Sequence, residues 1–223
     1  MKQSILCLLM TVLTINACAQ QQSNSVIWNS ENHPEILQFL GAPAVVSTPL
    51  GPAVSFNGET DAVFVQGTPF AGMEELTLEV IFRQNGEGKF EERFLHMGQP
   101  NGARIMFETR VNPDKTWYFD AHVNYGNRVS ATLIYPELTH PTDQWYNATL
   151  VCDKNGMTSY VNGVEQGHVD MAWQPGVIGE GVSSIGVRQN LVNYFKGEIL
   201  LIRATPKALK PEQFLKDYEK LNK

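Results

Sequence analysis

Ionisable residues recur at every second position in two short runs of this chain. In Arg104-Ile105-Met106-Phe107-Glu108-Thr109-Arg110, extended backbone sets Arg104, Glu108 and Arg110 on one side, against Ile105 and Phe107 on the other. In Tyr118-Phe119-Asp120-Ala121-His122-Val123 the same parity groups Tyr118, Asp120 and His122 opposite Phe119, Ala121 and Val123. If the two runs are neighbouring strands, both polar sets line one sheet face. A third run, 76–83, alternates Glu79 and Arg83 against Leu78, Val80 and Phe82, and is expected to extend that face. Met106 and Ile81 are the apolar exceptions on the polar side. Planar donors and acceptors beside aromatic rings suit a polyhydroxylated ligand. One reading of the face is therefore a concave glycan-binding surface built from Glu79, Arg83, Arg104, Glu108, Arg110, Tyr118, Asp120 and His122. The other is a solvated sheet laced with ion pairs. The same groups could also run a β-elimination. Arg110, assisted by Arg104, would neutralise a uronate carboxylate, His122 would take the C5 proton, and Tyr118 would protonate the leaving oxygen.

Other chemistries lack their motifs. The chain has no H-E-x-x-H, no paired C-x-x-C and no G-x-S-x-G. Gly179-Glu180-Gly181 is glycine-rich, but no helix follows it to cradle a phosphate. His96, between Phe94-Leu95 and Met97-Gly98, reads as a packed histidine, and Cys152, in an apolar strand pattern, as a small buried hydrophobe. The net charge of −6 lacks the basic stripe that a nucleic-acid backbone requires.

The elements that must position these residues are strands. Runs of β-branched and aromatic residues, bounded by Gly, Pro, Asn and Asp, fall near 53–57, 62–66, 75–83, 92–99, 103–110, 116–124, 128–134, 145–153, 157–162, 183–188 and 195–204. Without long helices between them, they imply two packed antiparallel sheets in one domain over 26–223. Pro211 with Phe214, Leu215, Tyr218 and Leu221 predicts a short C-terminal helix, and Pro34 to Leu40 allows a second. Ahead of the domain, Lys2 and the apolar Ile5 to Ile15 form a signal segment over 1–17, too short for a permanent span. Ile15-Asn16-Ala17-Cys18 resembles a bacterial lipobox, with Cys18 lipidated and 18–25 a polar tether; Ala17-Cys18-Ala19 also suits ordinary cleavage. The expected location is the cell envelope, as an outer-membrane lipoprotein, with the lipid as the sole membrane contact.

Phe56-Asn57-Gly58-Glu59-Thr60-Asp61-Ala62-Val63 and Leu76 to Phe82 resemble the opening strands of laminin G-like jelly rolls of the concanavalin A superfamily. Trp145, Asp153 and Tyr160-Val161-Asn162-Gly163-Val164 resemble their next hairpin, and Phe195-Lys196-Gly197-Glu198-Ile199 with Arg203 and Ala208-Leu209 resembles the closing segment. The resemblance implies a two-sheet jelly-roll sandwich, with Trp145 and Tyr160 buried between the sheets and Val151 sharing the parity of Trp145. It implies a carbohydrate-binding module for many relatives and protein adhesion for others. Relatives often hold a structural calcium ion, for which Asp61, Asp153 and Glu198 are the carriers to weigh. The E-x-D-x-x-E strand of retaining jelly-roll glucanases is absent, which demotes a two-carboxylate glycosidase.

Overall fold

Alternating apolar side chains oblige each sheet to bury one face, and two such faces meet here. The computed structural model describes residues 25–179 and 181–223. The signal segment 1–17, Cys18 and the tether up to residue 24 lie outside the described residues. In chain order the strands are β1 (Val26–Trp28), β2 (Ile36–Leu40), β3 (Ala44–Thr48), β4 (Gly51–Asn57), β5 (Ala62–Gln66), β6 (Leu76–Gln84), β7 (Glu91–Gly98) and β8 (Arg104–Val111). They continue with β9 (Thr116–Gly126), β10 (Val129–Ile134), β11 (His140–Pro141), β12 (Trp145–Cys152), β13 (Met157–Val161), β14 (Val164–Val169), β15 (Val182–Ile185) and β16 (Lys196–Thr205).

The first sheet runs β14-β13-β12-β6-β16-β4-β3, with β1 also on β16. The second runs β10-β9-β8-β7-β15-β5-β2, with β11 also on β9. All the strand pairs are antiparallel, giving the jelly-roll sandwich. Aromatic rings join the two layers. Phe82 of β6 stacks on Phe94 of β7 with centroids 4.5 Å apart and meets Trp117 of β9 edge-on at 5.2 Å. Cys152 is wholly buried, and burial pushes its thiol far above the usual range.

Three expectations are corrected. Ile36–Leu40 is strand β2, not a helix, because it pairs with β5; a short apolar run carries no period that separates the two states. The C-terminal segment is a 3-10 turn at Pro211–Gln213 and a separate four-residue helix α1 (Tyr218–Leu221). Between them Phe214 is extended, its ring 5.2 Å from that of Tyr160, and the Leu215 amide donates to Glu79 Oε1 at 2.7 Å instead of to a helical carbonyl. Trp145 is buried, but on the outward side of the first sheet, with Ala53, Ile81 and Leu200 and beneath Leu215, Tyr218 and Leu221. Tyr146 holds the place between the sheets. Tyr160 is half-buried on the same outward side as Trp145, and Val151, of the same parity as Trp145, is partly exposed there.

Candidate functional site

β8 and β9 pair in the register that alternation requires, placing Glu108 opposite Asp120, Arg110 opposite Tyr118 and Met106 opposite His122. Their core-facing sides carry Ile105, Phe107, Phe119, Ala121 and Val123. Six of the eight candidates, Arg104, Glu108, Arg110, Tyr118, Asp120 and His122, therefore share the outward face of the second sheet. Glu79 and Arg83 do not join them. They lie on β6, in the other sheet, and their outward direction points away from this face. The parity of 76–83 was sound; which layer the strand enters is a long-range decision. Glu79 is fully buried, receiving Arg203 Nε at 2.6 Å and Asn147 Nδ2 at 3.0 Å, and clasps the C-terminal segment through Leu215. Arg83 binds Glu198 at 3.2 Å and Asp143 at 3.7 Å.

A charge network forms the floor of the site. Arg110 donates through Nε and Nη2 to Asp120 Oδ2 at 3.1 and 2.6 Å, and through Nη2 to Glu108 Oε2 at 3.1 Å; its Nη1 meets Glu91. Arg93 approaches Glu108 Oε1 with Nε at 2.9 Å, too poorly aligned for a hydrogen bond, and reaches Glu91 with Nη1 at 3.0 Å. Glu108 and Asp120 are each only 2% exposed. Burial raises both carboxyls above their ordinary range, and Glu108 is raised further by the charge of Asp120, against the pull of both arginines.

Beside this floor stand two histidines. His96 accepts the Gln189 amide on Nδ1 at 3.3 Å and has Nε2 3.3 Å from the Gln99 carbonyl, which assigns the neutral tautomer protonated at Nε2. His122 shares a hydrogen bond with Thr132 Oγ1 through Nδ1 at 2.8 Å, and its Nε2 is buried without a partner. Burial, and then the charges of Arg104, Arg188 and Arg93, hold His122 down at about 4. His96 is likewise pulled to about 4, burial outweighing its hydrogen bond to Gln99.

Reasoning from sequence missed Glu91, Arg93 and Arg188. A bulge between Arg93 and Leu95 turns Phe94 and Leu95 both toward the core and leaves Arg93 and His96 outward, which defeats a period-two count. Arg188 arrives on the 186–195 loop. Its neighbour Gln189 pins that loop to the sheet through Nε2, on Val182 O at 2.6 Å, Gly98 O at 3.1 Å and His96 O at 3.3 Å.

The elimination roles are not assembled as expected. Tyr118 and His122 are four residues apart on one strand, about 13 Å, too far to serve one scissile bond as acid and base. Arg110 is committed to three carboxylates. The calcium carriers do not converge either. Asp61 accepts the amides of Ala42 and Asn57, Asp153 those of Asn155 and Gly156, and Glu198 is paired with Arg83. Among the described residues no group of three His, Cys, Asp or Glu could hold a metal ion.

Residues 57–214 match the family model of the concanavalin A-like lectin/glucanases superfamily. No curated protein matches. Among solved structures, domain 4 of AbnA, a GH43 extracellular arabinanase from Geobacillus stearothermophilus solved with arabinotriose, is similar at 18% identity and TM-score 0.59, over 89% of this chain and 88% of that one. A heptameric SAP-like pentraxin from Limulus polyphemus is similar at 19% identity and TM-score 0.54, over 71% and 77%. The receptor-binding domain of botulinum neurotoxin D is similar at 14% identity and TM-score 0.57, over 88% of this chain and 48% of that one. At these identities the likeness is one of fold.

Proposed function

Since the chain belongs to the concanavalin A-like lectin/glucanases superfamily, we propose that it binds an oligosaccharide on the outward face of β7 to β10. The observation that carries this reading is a set of buried polar atoms on that face with no hydrogen-bond partner among the described residues: Arg104 Nε, Asp120 Oδ1, His122 Nε2 and Arg188 Nε. An unpaired buried donor or acceptor costs about 1–3 kcal/mol, and sugar hydroxyls, each both donor and acceptor, would relieve it. The domain of AbnA solved with arabinotriose lends support through shared fold. Arg104 to Arg110 covers about 20 Å along β8, enough for more than one sugar ring. A lipid on Cys18 would hold the domain at the cell envelope. No helix among the described residues is long and apolar enough to cross a membrane. Replacing Cys18→Ala should then move the protein from the membrane fraction to the soluble one, and undiminished retention refutes the anchor.

Binding without cleavage is favoured by the distance between Tyr118 and His122. A lyase reading keeps one observation, the neutral His122 with a free Nε2. One assay separates the two. The full chain is incubated with uronate and neutral polysaccharides while retention and the ultraviolet absorbance of newly unsaturated uronate are both followed. Retention without absorbance is expected. Absorbance that disappears in His122→Ala establishes the lyase, and no retention on any glycan leaves the protein-adhesion reading.

A further inference from the structure

The polar face divides into two electrostatic halves. Around Arg110 two arginines and three carboxyl groups are interlocked in ion pairs. At the other end Arg104 and Arg188 form no ion pair among the described residues. Arg104 spends Nη1 on the Gly102 carbonyl at 2.8 Å and keeps a buried, unpartnered Nε; Arg188 likewise keeps a buried, unpartnered Nε.

The backbone brings these two side chains together. Arg188 is held against the sheet by the Gln189 amide on His96, and His96 pairs with Met106, two residues along β8 from Arg104. His122, on the far side of Met106, has its unpartnered Nε2 in the same neighbourhood. The two arginines are near enough to repel each other, and Arg104 is held below the usual arginine range by burial and then by Arg188, against the weaker pull of Glu108. Two half-buried like charges with no ion-pair partner among the described residues repel one another, and guanidinium groups pair best with planar or tetrahedral oxyanions.

Resting on the oligosaccharide reading, we propose that the ligand is an acidic glycan whose carboxylate or sulfate group is received between Arg104 and Arg188, with His122 Nε2 beside it. The interlocked half around Arg110 and Asp120 then meets sugar hydroxyls, so one face recognises charge at one end and ring stereochemistry along the rest.

Matched ligand pairs test this with the full chain: oligogalacturonate against its methyl ester, and dextran sulfate against dextran, with arabinotriose as a further neutral sugar. The expected result is that the acidic member of at least one pair binds about tenfold or more tightly than its uncharged twin, weakening with salt. Which pair responds separates carboxylate from sulfate. Arg188→Gln and Arg104→Gln should each remove most of that preference, and Arg188→Lys should keep more of it than Arg188→Gln. Thermal midpoints of the variants report folding independently. Equal affinity within both pairs, or a preference unchanged in both glutamine variants, overturns the anion site while leaving neutral-sugar binding to stand. No binding to any of the five probes overturns the acidic ligand and counts against the oligosaccharide reading with it.

Discussion

Replacing Arg110 with Met removes the cation that Glu108, Asp120 and Glu91 share while keeping an unbranched side chain to pack. Glu108 and Asp120 are almost inaccessible to water, so the variant strands two buried carboxylates with Arg93 as the remaining cation at ion-pair distance among the described residues. Breaking a buried pair from one side costs about 3–5 kcal/mol, and that is the expected loss at pH 7.5. The loss must also depend on pH. Both carboxyls already titrate above their unfolded values, chiefly through burial, and losing Arg110 raises them further. Between the unfolded and folded pKa values the native state holds more protons than the unfolded one, so stability falls as pH rises. Arg110→Met widens that window, and its deficit against the parent should shrink by about 1–2 kcal/mol on going from pH 7.5 to 5, at about 1.4 kcal/mol per unit of added shift. Urea unfolding followed by tryptophan fluorescence, taken as the difference between variant and parent at each pH, cancels the other titrating groups. A deficit under 1 kcal/mol at pH 7.5, or one that grows on acidification, refutes the network as described.

Glu79→Gln should lose about 3 kcal/mol by leaving Arg203 buried without its carboxylate. It should also expose the segment after Thr205 to limited proteolysis, and an unchanged digestion pattern would show that Glu79 does not clasp the tail. His96, fully buried and held at about 4, binds no proton in the folded state until well below its unfolded value of 6.5. The unfolded chain takes up the proton first, so this histidine lowers stability as pH falls from 6.5 toward 4. His96→Gln should lose that dependence, its deficit at neutral pH closing by about 3 kcal/mol at pH 4; parallel curves for parent and variant would contradict it. Gly186→Ala should destabilise strongly. Its φ of +86° disfavours a side chain, and a Cβ there would meet the Phe56 ring at 2.4 Å, so an unshifted melt would show the loop placement to be wrong.

Much of this architecture was legible in the chain because short-range rules govern it. Alternation alone put Ile105, Phe107, Phe119 and Ala121 inside and Glu108, Arg110, Asp120 and His122 outside, since successive side chains on a strand must point to opposite faces. The pairing of β8 with β9 follows from their closeness in sequence, as do the turns at Asn155-Gly156 and Asn162-Gly163.

What tertiary structure decided concerns contacts between residues far apart in the chain. Whether Glu79 joins Arg110 or faces the opposite way depends on which sheet receives β6, and a parity count is identical in both cases. The same ambiguity turned Trp145 outward and Tyr146 inward, because the inward side of a strand is named only by the layer opposite it. The bulge at Arg93 and the loop carrying Arg188 leave no periodic trace, yet they add Arg93, His96 and Arg188 to the candidate face. Arg188 joins Arg104 across more than eighty positions of sequence. The physical reason is that period-two geometry is a property of one strand, whereas the meeting of charges on a face is set by burial and hydrogen bonding among several.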